Sequence, residues 1–532
     1  MEDRTATTEK VHAVTWQPTN LLGQLTVKEF LVSNDYRVIS VKGILASLLI
    51  LALGGIFALT FRTELAYPDI QFFGARTYMG LMTLHGMFMV FGFVIPIVLS
   101  VCYYLMPKVL ETDGLLWAGW LQASFWTLIA AAALLIIGRP DFTWTFYAPM
   151  SLRVGGNLVW CGYVAIVLVA VSEFLAGAAL LRNVFAWQDS WKSLPLLGWA
   201  MLTEGGLLIL STPALALVGA LLLTDWLQLT AIFDTARGGS TTTFLWMFWF
   251  YGHPAVYLPL VPAIGILYTL LPRFLGRPMW SRQSGIIAFV LLFVLSFVVF
   301  HHHFQPDVTR QGWVQRFFQI MTLLIFIPST LHVFNWIASL WQGPIPVSAR
   351  KGIPFRFLIG AIAMVIVGGV TGYLNAQISV DSDFIHNTYW VPAHFHAMFL
   401  GFCAQAAIAG IYFLYPYYTG RMYHSGLAEA HFWMWQLGIF AKVMLMYALG
   451  MANFPRWVVD YLPLPEWVTA QFWLTIAGYL IGLGFALFLL NMVSSASRGR
   501  PVGASDPWPV KETPLPEASA PAPALKETTK LS

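Results

Sequence analysis

The chain has 532 residues, of which 58% are hydrophobic and only 10% are charged. A soluble domain carries about 25% charged residues, so the composition excludes an ordinary water-soluble protein and fits a polytopic membrane protein. The net charge of +4 is spread thinly, without the basic run that would mark a nucleic-acid partner.

The opening MEDRTATTEKVHAVTWQPTN is polar rather than signal-like, so insertion is expected to rely on the first transmembrane helix. Apolar windows of about 20 residues, long enough to cross the hydrocarbon core, predict about twelve helices. They lie near 42–62, 78–106, 114–137, 156–180, 196–228, 242–271, 284–303, 314–341, 355–378, 390–416, 431–453 and 467–494. The expectation is an all-α integral membrane domain over 42–496, a cytoplasmic extension over 1–41 and a disordered cytoplasmic tail over 497–532. The tail is assigned on its Pro, Ala, Glu and Lys content. An even number of spans puts both termini on one side. A small excess of Lys and Arg in the loops of that side makes it the cytoplasmic one. Cys102, Cys161 and Cys403 fall inside apolar windows without paired spacing, which reads as small buried hydrophobes rather than disulfides or a thiolate metal site.

The histidines are the informative feature. Ionisable groups inside a bilayer are costly and usually functional, and imidazole is the commonest metal ligand. His85, in YMGLMTLHGMFMVFG, lies about two turns into the second helix. His253 stands in the sixth, in FWFYGHPAVY, one turn before Tyr257. His301, His302 and His303 close the seventh, in FVVFHHHFQPD. His394 and His396 open the tenth, in WVPAHFHAMFLG. Two residues along a helix turn the side chain by about 200°. His394 and His396 therefore point to opposite faces, and one helix can serve two metal centres. Adjacent residues diverge by about 100°, so His301 and His302 converge on one ion only if the helix end deforms, which the following QPD allows. Neutral imidazoles from His253, His301 and His302 suit a copper with an open position. His303 is expected to point elsewhere.

HPAVY, the HH pair at a helix end and the VPAHFH helix together resemble subunit I of the haem–copper oxygen reductases. The likeness runs from YMGLMTLHG through NFPRW. FHHHFQPD, HNTYWVPAHFH and the HPxVY motif with Ala255 at x look most like the B-type branch, which lacks the glutamate of A-type enzymes there. The resemblance implies about twelve helices enclosing two haems and one copper, CuB. It makes His85 and His396 axial ligands of a low-spin haem, His394 the axial ligand of a high-spin haem, and His253, His301 and His302 the CuB ligands. It also implies a covalent link between His253 and Tyr257, whose i, i+4 spacing permits contact. His386, Asn387 and Arg456 resemble groups around the haem propionates.

The implied reaction is reduction of O₂ to water, coupled to proton uptake and pumping, with Tyr257 supplying an electron and a proton. For proton intake the resemblance points to Tyr257, Tyr268 and Ser329, joined here by His332. Ile264 stands where the branch has a second tyrosine, and His332 and Asn335 replace hydroxyl residues. Spacing alone equally allows these polar groups to be helix-joining contacts. The implied partners are a subunit II, bearing CuA if cytochrome c is the donor, and small accessory subunits. A cupredoxin-like protein or a quinol are the other donors, and the setting is a prokaryotic cytoplasmic membrane. Haem types a and b are not separable from axial histidines. Two alternatives stand beside this reading. One is a B-type-derived nitric oxide reductase, which usually lacks the tyrosine. The other is a transporter, which calls for broken helices at symmetric positions. Glu173, Glu204 and Lys442 are buried ionisables without an assigned role.

Overall fold

The structure is a computed structural model that describes residues 17–154, 156–304, 312–503 and 506–508. Its membrane helices are α1 (Tyr36–Glu64), α2 (Ala75–Val109), α3 (Ala118–Gly138), α4 (Trp160–Val184), α5 (Leu196–Trp226) and α6 (Thr241–Leu275). They continue with α7 (Arg282–Ser296), α8 (Gly312–Trp341), α9 (Ile353–Asn375), α10 (Trp390–Thr419), α11 (Ser425–Met451) and α12 (Pro465–Arg498). Every predicted window meets one of them. Eleven are long and apolar enough to cross a membrane among the described residues, and α7 is the shorter exception.

The window 284–303 divides because the helix ends at Ser296 and the chain resumes as a 3₁₀ turn, Phe300–His303. The Ser296 hydroxyl donates to Leu292 O, and such back-bonding loosens a helix. At the C-terminus the expected tail starts too early. α12 continues to Arg498, and Met422 N–H donates to Arg500 O and Val502 N–H to Gly420 O, both at 2.9 Å. Trp508 Nε1 donates to Phe413 O at 3.0 Å, and Tyr417 Oη to Asp506 at 2.7 Å. These contacts seat the segment against the ends of α6 and α10. The rest of that tail, 509–532, and residues 1–16 of the extension lie outside the described residues.

Burial sorts the helices into two sets. In α2, α6 and α10, 89%, 89% and 83% of the apolar window is buried, against 56% or less in the other spans. The outer helices present Leu45 and Leu49 on α1, Leu210 and Leu217 on α5, and Leu483 and Val493 on α12 to the surroundings. Such faces are stable against lipid tails and not against water. The three central helices carry His85, His253, His394 and His396.

Candidate metal centre

Each central helix departs from regular hydrogen bonding beside its histidine. In α2 a π-helical segment, Phe88–Val94, begins three residues after His85; in α10 one runs from His396 to Cys403. A π segment turns the helix face and is frequent at functional sites. In α6 the helix stops at Gly252 and restarts at Pro254. Pro254 has no N–H to donate, so the ladder is broken there, and His253 sits at the break with its own N–H still bonded to Trp249 O at 3.1 Å.

His85 and His396 face one another with rings nearly parallel, at 12°, and centres 6.5 Å apart. Two imidazoles binding one ion from opposite sides at about 2 Å each have ring centres about 6 Å apart, so this gap fits an iron in a planar group. Their Nδ1 atoms lie 2.9 Å from Gly54 O and 2.7 Å from Pro392 O. A carbonyl only accepts, so each Nδ1 carries the hydrogen and each Nε2 keeps its lone pair for a metal.

His394, on the other face of α10, lines a cavity of about 800 Å³ shared with His253, His302, His303 and Tyr257. That is the size of a cofactor site. Gly372 on α9 cradles the His394 ring: a Cβ added there would come within 2.9 Å of its Cε1.

The second histidine set differs from the expected one. His253, His302 and His303 each offer a nitrogen within 4.8 Å of the others, the one such group of three among the described residues. His253 Nδ1 and His303 Nε2 are 2.9 Å apart, the spacing of two neighbouring ligands each about 2 Å from one ion. The His253 and His302 ring centres are 4.7 Å apart, and His253 and Tyr257 are 5.0 Å apart. His253 Nε2 is buried without a protein partner. An all-imidazole set of this kind fits copper.

His301, placed in the set from sequence, is elsewhere. Its ring stacks on Phe318 at 4.3 Å and 10°, with Phe304 at 4.7 Å and Trp246 at 5.3 Å. The physical reason is the 3₁₀ turn. The helix end does deform as expected, but as a 3₁₀ turn it brings His302 and His303 to His253 while the aromatic box takes His301. His303, expected to point away, is held by Trp249, stacked on it at 3.8 Å and 5°. Trp249 is anchored in turn by its Nε1–H to Tyr147 Oη at 2.8 Å.

His302 Nδ1 lies 3.1 Å from the Thr322 hydroxyl. Trp249 and Thr322 were not identified from sequence. Trp249 stands inside FWFYGHPAVY, four residues before His253 and so on its face, which is the signal that could have found it. Thr322 is on α8 and carried no signal.

His386, Asn387 and Arg456 come together at one mouth of the large cavity. His386 Nδ1 is 2.9 Å from Asp381 Oδ2, a carboxylate the sequence reading missed. Arg456 donates from Nη2 to Asn387 Oδ1 at 3.2 Å and from its backbone N–H to Asn387 O at 3.0 Å. Tyr268 Oη lies 2.9 Å from His332 Nδ1 and accepts from Asn335 Nδ2 at 3.2 Å. His332, Ser329, Ile264 and Tyr257 line the same large cavity. Ser329 itself donates to Ile325 O at 3.2 Å.

The fold and this site define a class first: a multi-span, helical membrane redox protein in which three central helices and the turn after α7 bring imidazoles together in two clusters. The chain belongs to the cytochrome c and quinol oxidase polypeptide I family, whose model matches residues 38–480. It is 33% identical over 473 residues to a cytochrome c oxidase polypeptide 1 of Halobacterium salinarum, covering 87% of this chain and 78% of that one. It is 31% identical over 483 residues to a cytochrome c oxidase subunit 1 of Synechocystis, covering 89% and 86%. A cryo-EM structure of a haem–copper terminal oxidase dimer shares the fold, with TM-score 0.76 and 22% identity over 92% of this chain and 89% of that one. The transporter alternative falls with this membership.

Proposed function

We propose that this chain is the catalytic subunit of a terminal respiratory oxidase that reduces O₂ to water. The observation that carries the reading is the shared chamber: the group of His253, His302 and His303 lines one cavity together with His394 and Tyr257. A low-spin haem is assigned to His85 and His396, a high-spin haem to His394, and CuB to His253, His302 and His303. When bound, the two chamber metals supply electrons to O₂ and the low-spin haem relays them from the donor.

The chain's own groups do the rest. His394 and His396, two residues apart on one buried helix, hold the two haem sites in a fixed relation, and preorganised ligands on rigid elements are what such a site needs. Tyr257 presents a phenol to the chamber beside His253, where it gives up a proton and an electron and is later restored. Water formation consumes four protons per O₂. We assign part of their supply to Tyr268, His332 and Ser329, which reach the chamber from the inner side if the N-terminus is cytoplasmic. Asp381 with His386, and Asn387 with Arg456, supply a cluster of charge and hydrogen bonding at the opposite mouth. There they would hold the haem carboxylates.

Within the family we place the chain in the B-type branch, on Ala255 in HPAVY and on FHHHFQPD. Tyr257 in the chamber and the lack of an acid at position 255 favour O₂ over nitric oxide as substrate. A subunit II is its partner, with a cytochrome c, a cupredoxin-like protein or a quinol as electron source. The test is a reduced-minus-oxidised optical spectrum of the purified membrane complex, with and without CO. Two haem signals, only one of them shifted by CO, and O₂ consumption are expected. A single haem signal, or turnover of nitric oxide without turnover of O₂, would contradict it.

A further inference from the structure

Lys442 on α11 is a cation inside the bundle that none of the groups above uses. The nearer end of its helix is Met451, nine residues on. That is about 14 Å at 1.5 Å per residue, farther than a lysine stem reaches, so the amine cannot snorkel to the membrane surface. The side chain is half-buried, and among the described residues no hydrogen bond or ion pair holds it. A charge at such depth is costly and marks a functional position.

Contacts on three helices place it. α10 and α11 run antiparallel: the Gln405 and Gln436 amides are bonded toward one end of the contact, and the Trp390 and Tyr447 rings lie 4.6 Å apart toward the other. Lys442 is midway between Gln436 and Tyr447, and the turn of α10 that carries His396 is midway between Trp390 and Gln405. Lys442 is therefore level with His396. One turn earlier, a Cβ added at Gly438 would fall 3.3 Å from Ala477 O on α12, and Lys442 shares that face. The neighbouring turns of α12 hold Arg62 of α1, whose Nη2 donates to Gln471 Oε1 at 2.5 Å and to Thr475 Oγ1 at 3.1 Å. Phe61, next to Arg62, sets its ring 5.6 Å from the His85 ring. The charges of Lys442 and Arg62 both act through space on His396, and that of Lys442 acts on His85 as well.

No carboxylate answers either cation among the described residues. The partners of Arg62 are the amide and carbonyl of Gln471 and the hydroxyls of Thr475 and Tyr389, all neutral. Charges left uncompensated in a low-dielectric interior act over longer distances than in water. Reduction of a haem iron removes one positive charge from it, so a neighbouring cation favours the reduced form. Net charge and burial are among the levers by which a protein sets a haem potential.

We propose that Lys442 sets the reduction potential of the low-spin haem held by His85 and His396, raising it so that this site takes electrons readily from the donor. Arg62 is tied to α12 by its bonds, whereas Lys442 has no bond in the chain and is present for its charge. His394 is on the opposite face of α10, against Gly372 of α9, so the effect belongs to the low-spin site and not to the chamber. This deepens the terminal-oxidase reading and rests on it.

The test is an optical redox titration of the intact membrane complex under CO, which holds the high-spin haem reduced so that the low-spin band titrates alone. Lys442→Met should lower the reduced-to-oxidised ratio of the low-spin haem on the order of tenfold at a given potential, a fall of ~59 mV for one electron. Lys442→Gln should match it, and Lys442→Arg should restore the wild-type midpoint. Copper content and the CO-shifted band should stay the same in all three. An unchanged midpoint in both neutral variants, with both haem signals present, would overturn the proposal and leave the oxidase reading standing. A midpoint in Lys442→Arg as low as in Lys442→Met would also overturn it, because charge would not be the cause. Loss of the low-spin signal in both neutral variants would make Lys442 a structural residue and overturn it too. Absence of a low-spin haem signal in the wild type would overturn the oxidase reading and this inference with it.

Discussion

The two histidine clusters are built on different kinds of backbone. His85 and His396 project from continuous central helices, and each is locked by a backbone carbonyl on its Nδ1. His253, His302 and His303 stand at a helix break and on a 3₁₀ turn, and side chains orient them instead: Trp249 under His303 and Thr322 beside His302. A ligand on an unbroken helix, locked by a backbone carbonyl, can be assigned from helical phase. A ligand held by neighbours from distant segments cannot, and the second cluster is also the one that single substitutions should disturb most selectively.

The largest expected effects separate the clusters completely. His253→Ala should take copper content from one per complex to none and abolish O₂ turnover, with the low-spin haem spectrum nearly intact. His396→Ala should do the reverse, removing the low-spin haem signal and retaining copper. Loss of both signals in either variant would show that the clusters are not independent. Tyr257→Phe should leave both spectra and the copper in place and remove most of the O₂ consumption measured with an oxygen electrode.

Smaller effects probe how the second cluster is held. Groups behind a metal ligand typically contribute 10–100-fold in metal affinity. Thr322→Val and Trp249→Leu should therefore weaken copper retention by about 10–100-fold under chelator challenge, without moving the low-spin spectrum. Least of all, Ser329→Ala should slow proton uptake several-fold at unchanged metal content. Full turnover and full pumping in both Ser329→Ala and Tyr268→Phe would place the intake elsewhere.

The same contrast explains what could be read from the sequence. Apolar length located all twelve windows, because a bilayer imposes one simple requirement on every span. The opposite facing of His394 and His396 followed from helical rotation, and the structure puts them against different partners, His396 opposite His85 and His394 in the large cavity. The structure groups His303 rather than His301 with His253 and His302, because which two of three successive histidines converge at a deformed helix end is not set by helical phase. What decides between them is an aromatic box of Trp246, Phe304 and Phe318, drawn from three segments. Asp381 and Thr322 escaped notice for a related reason: an ordinary polar residue gains meaning only from the histidine it touches. Glu173 and Glu204 were visible as buried acids, but the bond that Glu173 accepts from the Tyr251 hydroxyl joins α4 to α6 and depends on how those helices pack.

The central claim is the identity of the copper-binding imidazoles, and copper quantification in two purified variants tests it most directly. His303→Ala should lose the copper. His301→Phe, which keeps an aromatic ring against Phe318, should retain it at the wild-type ratio to haem. Retention in His303→Ala together with loss in His301→Phe would contradict the account and return the cluster to His253, His301 and His302.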